Sequence, residues 1–182
     1  NFISIYKEYE NIKKENFYLD FDDMLELCYS ILSTNSKLLQ MYIENFDYIE
    51  IDESQDVSKI QHEIIKLIMG DKCNVCLVGD PDQAIYSWRG ASPETLLNFK
   101  KSYNSDAKVL FMSQNFRSTK SIVNVANEFI KINKARYNFN IFTDNVKGEQ
   151  ISLIDVEDNN EQAKFIVDNI KETNNLKECA VL

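Results

Sequence analysis

Residues 48–56 read Tyr48-Ile49-Glu50-Ile51-Asp52-Glu53-Ser54-Gln55-Asp56. Tyr48 to Ile51 has the pattern of a short strand, and it ends on two adjacent carboxylates. In open α/β sheets, ligands bind at the C-terminal edge of the strands. Asp52 and Glu53 are therefore candidates for a hard divalent cation, which takes oxygen ligands. A second carboxylate at the same place can polarise an attacking water. The alternative is an acidic start to the following helix, which the helix dipole favours.

On the C-terminal side, Ser58 opens a helix with Ile60, Ile64, Ile65, Leu67 and Ile68 facing inward, stopped by Gly70. Asn74 to Val78 is a second short apolar strand, closed by the turn Gly79-Asp80-Pro81-Asp82. Pro93 begins a helix running through Tyr103, and Lys108 to Met112 reads as a strand. Ser118 caps a helix carrying Ile122, Val123, Val125, Ala126, Phe129 and Ile130. A strand over 150–156, a helix over 161–173 and a last strand opening at Ala180-Val181-Leu182 complete that side. On the N-terminal side, helical spacing covers 1–16. The carboxylates Asp20, Asp22 and Asp23 lead into an apolar helical face from Met24 to Leu32, and a further helix covers 37–45. Strands separated by helices of this size predict an α/β fold, with a parallel sheet, right-handed crossovers and flanking helices.

The chain has 182 residues, 44% hydrophobic and 27% charged. That is a globular composition, enough for one domain or two small ones, and it excludes a mostly disordered chain. No apolar run is long enough to span a bilayer. Lys7, Glu8, Glu10 and Lys13 interrupt the early apolar residues, so no signal peptide is expected. The net charge of -9 weighs against a surface coated in basic residues but leaves room for a local basic groove. Cys73-x-x-Cys76 has the spacing of a redox or half-zinc motif. With no second such pair, Cys76 in the run Val75 to Val78 reads better as a small core residue. His62 is too isolated to complete a metal set, and a reducing cytoplasm is the expected compartment. The chain starts on Asn1 and stops inside an apolar strand, which is expected of a piece of a longer protein.

Two further stretches carry chemistry. In Gly79-Asp80-Pro81-Asp82-Gln83-Ala84-Ile85-Tyr86-Ser87-Trp88-Arg89-Gly90-Ala91, Gln83 can hydrogen-bond a phosphate or an attacking water. Tyr86, Trp88 and Arg89 suit single-stranded nucleic acid, since aromatic faces stack on bases and Arg pairs with phosphate. Packing in a core is the other reading of the two aromatics. In Gln114-Asn115-Phe116-Arg117-Ser118-Thr119, Arg117 stands just before a helix and after a strand, a position from which a charge can reach a phosphate. An ordinary surface ion pair is the other reading.

Taken in order, these stretches resemble superfamily-one DNA helicases of the UvrD/PcrA/Rep type. Asp52 to Asp56 is similar to their Walker B motif, Asp-Glu-x-Gln-Asp, with Ser54 at the open position. Gly79 to Ala91 is similar to their third motif, and Asn115-Phe116-Arg117-Ser118 to their fourth, usually Asn-Tyr-Arg-Ser. Asp20-Phe21-Asp22-Asp23-Met24-Leu25 resembles the Asp-Phe-x-x-Leu-Leu stretch ahead of Walker B. The resemblance implies RecA-like parallel sheets and an ATP-dependent DNA helicase or translocase of 3′-to-5′ polarity, with ATP and Mg²⁺ as cofactors. Asp52 would hold the metal together with Glu53, and Glu53 would be the general base. Gln83 would contact the γ-phosphate, Phe116 would stack on the adenine, and Arg117 would be an arginine finger. Tyr86, Trp88 and Arg89 would contact single-stranded DNA. Single-stranded DNA, its junctions with duplex and DNA-repair proteins are the implied partners, with no membrane.

By the same resemblance, residues 1–16 would end an inserted helical subdomain (1B). Residues 17–105 would be the second half of the first motor domain (1A), and 106–182 would begin the second (2A). The nucleotide would lie in the cleft between the two motor domains. No Gly-x-x-x-x-Gly-Lys-[Ser/Thr] phosphate loop occurs in the chain. The chain alone is therefore expected to be inactive, with activity belonging to a larger parent. The alternatives are the motor part of an AddA/RecB-type helicase–nuclease, or a non-catalytic DNA-binding module.

Overall fold

The computed structural model describes residues 1–72, 74–171 and 175–181. Cys73, Leu182 and the last two residues of the helix expected over 161–173 lie outside them. The elements in chain order are α1 (Phe2–Asn16), α2 (Phe21–Thr34), α3 (Ser36–Asn45), β1 (Ile49–Ile51), α4 (Lys59–Met69), β2 (Val75–Leu77), α5 (Pro93–Leu97), α6 (Phe99–Ser102), α7 (Lys120–Ile130) and α8 (Asn159–Lys171). Single 3₁₀ turns fall between several of them. By mutual contact the chain forms two units, Asn1–Ser113 with Glu128–Asn140, and Gln114–Asn127 with Ile141–Leu182.

In the first unit, β1 and β2 pair in parallel with Ile49 opposite Val75, Glu50 opposite Cys76 and Ile51 opposite Leu77. Parallel neighbours need a crossover, and α4 supplies it. The start of α4 is fixed by a reciprocal cap: the Ser58 hydroxyl accepts from the Gln61 N–H, and the Gln61 side chain accepts from the Ser58 N–H. Asp20 and Asp23 cap α2 in the same way, and the Asn35 side chain caps α3. Helices α2, α3 and α4 pack on one another, with Leu32 and Ile64 among the buried apolar residues. Lys13 of α1, only 7% exposed, joins this cap through ion pairs to Glu10, Asp20 and Asp23 at 2.8–2.9 Å. Hydrogen bonds to Asp23, Glu10 and Asp20 push the Lys13 ammonium above its ordinary range, while the Asp23 N–H and Lys13 hold the Asp20 carboxyl below its own.

Several expectations are corrected. Cys76 is exposed rather than core, because strand alternation puts it opposite Glu50 on the uncovered face. The helix expected over 93–103 is two short helices broken at Asn98, whose side chain donates to the Glu94 carbonyl at 2.9 Å and competes with the backbone ladder. The strands expected over 108–112 and 150–156 do not form, and residues 180 and 181 carry no strand. Leu110, Met112 and Leu153 are 86%, 90% and 98% exposed, so neither a ladder partner nor a covering layer among the described residues holds those segments extended. Helix α7 begins after Thr119, whose carbonyl takes the first helical bond from Val123, so the cap position lies one residue beyond Ser118. The described residues thus hold one two-stranded parallel sheet, not a full RecA-like sheet.

In the second unit the first N–H groups of α7 are satisfied by a loop. Lys120 and Ser121 donate to the Val146 and Lys147 carbonyls at 3.1 and 2.9 Å. Asn127 exchanges two hydrogen bonds with the backbone of Ile141, and Val123 is buried beneath. Among the described residues no helix is long and apolar enough to cross a membrane.

Candidate functional site

Because β1 and β2 are parallel and in register, both strands end at the same sheet edge. The ladder continues one step further there, Val78 donating to Ile51 at 2.8 Å and Ser54 to Val78 at 2.9 Å. Between those bonds the chain reverses at Glu53, which has left-handed backbone angles (φ 49°, ψ 39°). A non-glycine residue in that region costs about 1–2 kcal/mol, and such strain gathers at functional sites when the surroundings enforce it. Here a 3₁₀ turn over Ser54–Asp56 follows at once, with Ser54 and Gln55 fully buried beneath.

Gln55 ties the two strand ends together. Its Nε2 donates to Glu53 Oε2 at 2.7 Å, and its Oε1 accepts from the Asp80 N–H at 3.0 Å. The arrangement requires glycine at position 79. A Cβ there would sit 2.6 Å from Gln55 Oε1 and 2.7 Å from Ser54 Oγ. Asp80 then organises the turn Pro81–Gln83, its Oδ1 accepting from the Asp82 N–H at 3.0 Å and its Oδ2 from the Gln83 side chain at 2.8 Å. Glu53 and Gln83 are thus linked through Gln55 and Asp80, and Asp52, Glu53 and Gln83 are all exposed. Asp52 Oδ1 accepts from the Glu53 N–H at 2.9 Å, while Asp52 Oδ2 and Glu53 Oε1 have no protein partner among the described residues. The free Asp52 oxygen fits Mg²⁺, which takes one or two carboxylates and keeps waters and phosphate oxygens as its other ligands, and the free Glu53 oxygen suits either the ion or a proton.

A second 3₁₀ turn, Ser87–Arg89, follows in the same loop, closed by Gly90 at φ 81°. Trp88 is 72% exposed, which removes the core reading. Tyr86 and Trp88 meet edge to face at 6.2 Å, and the Arg89 guanidinium lies 5.1 and 4.6 Å from their ring centres. Aromatic and cationic groups are therefore presented together at the surface.

In the second unit, Asn115 Oδ1 accepts from the Arg117 and Ser118 N–H groups at 2.9 and 2.7 Å, and Asn145 Nδ2 donates to the Phe116 and Ser118 carbonyls at 3.1 and 3.0 Å. These bonds present Phe116, 77% exposed, and an exposed Arg117 whose guanidinium makes no ion pair among the described residues.

Residues 1–104 match the family model of the UvrD/REP helicase N-terminal domain, and residues 110–182 that of the UvrD-like helicase C-terminal domain. The chain belongs to the UvrD/REP helicase family. A probable DNA helicase II homolog of Mycoplasma capricolum is 40% identical over 172 residues, 94% of this chain and 24% of that protein. The ATP-dependent DNA helicases PcrA of Staphylococcus aureus and Staphylococcus epidermidis are each 38% identical over 90% and 92% of this chain. The chain spans about a quarter of the length of these relatives. Three features of this UvrD/REP chain escape sequence reading: the Gln55 bridge, Asp80 as organiser of the turn, and the pairing of Asp82 with Arg136. Gln55 stands in the Walker B-like pattern, which was a usable signal. Nothing in the sequence connects Asp82 with an arginine so far along the chain.

Proposed function

We propose that the whole protein to which this chain belongs is an ATP-dependent DNA translocase and helicase. In this reading it moves 3′-to-5′ on single-stranded DNA, opens its junctions with duplex in the cytoplasm, and works with DNA-repair proteins. Residues 1–16, 17–105 and 106–182 are assigned to the end of 1B, the second half of 1A and the start of 2A. The observation that carries the proposal is the Gln55 bridge, which links a candidate base on one strand end with a candidate phosphate contact on the next.

Asp52 offers a carboxylate oxygen to the metal, and Glu53, with one oxygen held by Gln55, keeps the other to accept a proton from the attacking water. When bound, Mg²⁺ neutralises charge on the ATP phosphates. Gln83 hydrogen-bonds the γ-phosphate. Because Tyr86, Trp88 and Arg89 follow it in one loop, a shift of that turn moves the DNA-stacking residues. Phe116 stacks on the adenine, and Arg117 stabilises charge on the phosphate being transferred.

The test is DNA-stimulated ATPase. The whole protein hydrolyses ATP, Glu53→Gln lowers kcat by about 10²–10⁴-fold with ATP binding retained, and the isolated 182-residue chain, lacking a phosphate loop, stays at background. A whole protein without ATPase would overturn the proposal and leave a non-catalytic DNA-binding module.

A further inference from the structure

Asp82 lies inside the turn that presents Gln83, between Pro81 and Gln83. Its carboxylate takes three short hydrogen bonds from Arg136: Nε to Oδ1 and Oδ2 at 3.1 and 3.0 Å, and Nη2 to Oδ2 at 2.7 Å. Both side chains are largely buried, 12% and 14% exposed, and both belong to the first unit. Among the described residues it is the one Arg–carboxylate ion pair, and no Lys pair has both partners so buried. A planar fork on a carboxylate fixes orientation as well as distance.

Arg136 is itself held in place. Its Nη2 also donates to the Phe139 carbonyl at 3.1 Å. The neighbouring Tyr137 hydroxyl lies 3.0 Å from the Leu96 and Leu97 carbonyls, and Phe111 packs against the Tyr137 and Phe139 rings at 5.4 and 5.0 Å. The segment around Arg136 is therefore a docked anchor. It grips the Pro81–Gln83 turn through Asp82, while Asp80 and Gln55 hold the same turn at its start. Without it, Asp82 would keep only its backbone bond to Asp80.

We propose that Arg136 is a positioning residue for Gln83: through Asp82 it locks the turn that aims Gln83, and it governs the rate of ATP hydrolysis rather than the binding of ATP or DNA. The proposal rests on the ATPase reading given above. It assigns Arg136 no contact with substrate.

The experiment uses the whole protein with Arg136→Gln, Asp82→Asn, their double variant, Arg136→Lys and, as a control, Tyr137→Phe. The double variant leaves no uncompensated buried charge, so it folds even where a single variant is weakened. Two quantities are read: the DNA-stimulated kcat and KM for ATP, and amide hydrogen exchange over residues 79–84. Arg136→Gln and Asp82→Asn each lower kcat about 10- to 100-fold, the scale on which a small misplacement acts, with KM and single-strand affinity unchanged. The double variant is no slower than the worse single, since both remove one interaction. Arg136→Lys, keeping the charge without the fork, is intermediate. Exchange at Gln83 accelerates in Arg136→Gln and by much less in Tyr137→Phe, which loses anchor bonds but keeps the Arg136–Asp82 fork, and its kcat falls correspondingly less. Unchanged kcat in folded variants, or unchanged exchange at Gln83, overturns the positioning role. An equal loss of kcat in Tyr137→Phe overturns it too, assigning the effect to docking of the segment. A whole protein with no ATPase overturns the function reading and the kinetic half of the proposal. The exchange result then decides separately whether Arg136 holds the turn.

Discussion

The loop edge of the first unit and the 114–119 segment of the second both place polar side chains where a chain enters a helix, yet they hold them by different means. At the first, a parallel ladder ends on buried Ser54 and Gln55, and a continuous set of side-chain bonds runs from Glu53 through Gln55 and Asp80 to Gln83. At the second, no strand precedes the site residues. Asn115 and Asn145 shape the backbone around Phe116 and Arg117. A sheet edge links its side chains to one another, whereas a turn held by asparagine side chains presents Phe116 and Arg117 with no side-chain bond between the two site residues. Substitution at the first site should therefore spread to its neighbours, and substitution at the second should stay local.

The largest expected effect tests the local site. In the whole protein, Arg117→Ala lowers kcat by about 10³-fold or more, as loss of an arginine finger does. Single-strand affinity and the unfolding midpoint stay at their original values, because the exposed Arg117 side chain makes no ion pair among the described residues. Retained ATPase would reduce Arg117 to a surface charge.

Next come the two glycines, one in each region. Gly79→Ala forces a methyl against buried Gln55 and Ser54, a clash of the kind that costs about 1–3 kcal/mol. Gly148→Ala meets Thr119 at 2.5 Å and stands at φ +72°, where any side chain is strained by about 1–2 kcal/mol. Urea denaturation should show comparable destabilisation in both. ATPase should separate them: Gly79→Ala displaces the bridge and loses turnover in its folded fraction, and Gly148→Ala keeps it. Equal turnover in the two folded variants would erase the distinction between spreading and local sites.

A smaller effect sits on the exposed aromatic turn. Trp88→Ala weakens single-strand binding by about 1–3 kcal/mol, the worth of one stacked base. A fluorescence titration with labelled DNA that finds equal affinity would leave Trp88 without a stacking role.

The same contrast explains what was legible in the sequence. Helix α4 was readable to within a residue, because Ser58 and Gly70 are local signals and the ladder is closed within the helix. β1 and β2 were readable because a crossover helix brings each its partner. The stretches 108–112 and 150–156 have equally apolar sequences. A strand, however, is a property of two segments, and no neighbour among the described residues pairs with these. At the site, Asp52, Glu53 and Gln83 could be named from type and spacing. The bonds of Gln55 and Arg136 depend on which residues the fold brings near, and a single sequence does not record that.

The smallest effect concerns acid, and it bears on one unit only. The chain has a single histidine, His62, and it lies in the first unit on α4. It is 1% exposed, with Nδ1 2.7 Å from the Tyr103 hydroxyl and Nε2 without a partner among the described residues. Burial, reinforced by the charge of Lys66 and opposed by Glu63, lowers its pKa below the ordinary imidazole value near 6.5. The folded state therefore binds fewer protons here than the unfolded chain, and by linkage this contribution makes stability rise with pH. It is fully present above the ordinary value and is lost as pH falls from there toward the lowered one. Urea denaturation at pH 7.5 and 5.5 should show a larger drop for the unaltered chain than for His62→Gln, which cannot take up the proton. Parallel pH dependence in the two proteins would mean that His62 titrates alike in both states. The acid sensitivity of the first unit would then belong to its paired carboxylates, Asp20 foremost, whose lowered pKa makes the same kind of loss at still lower pH.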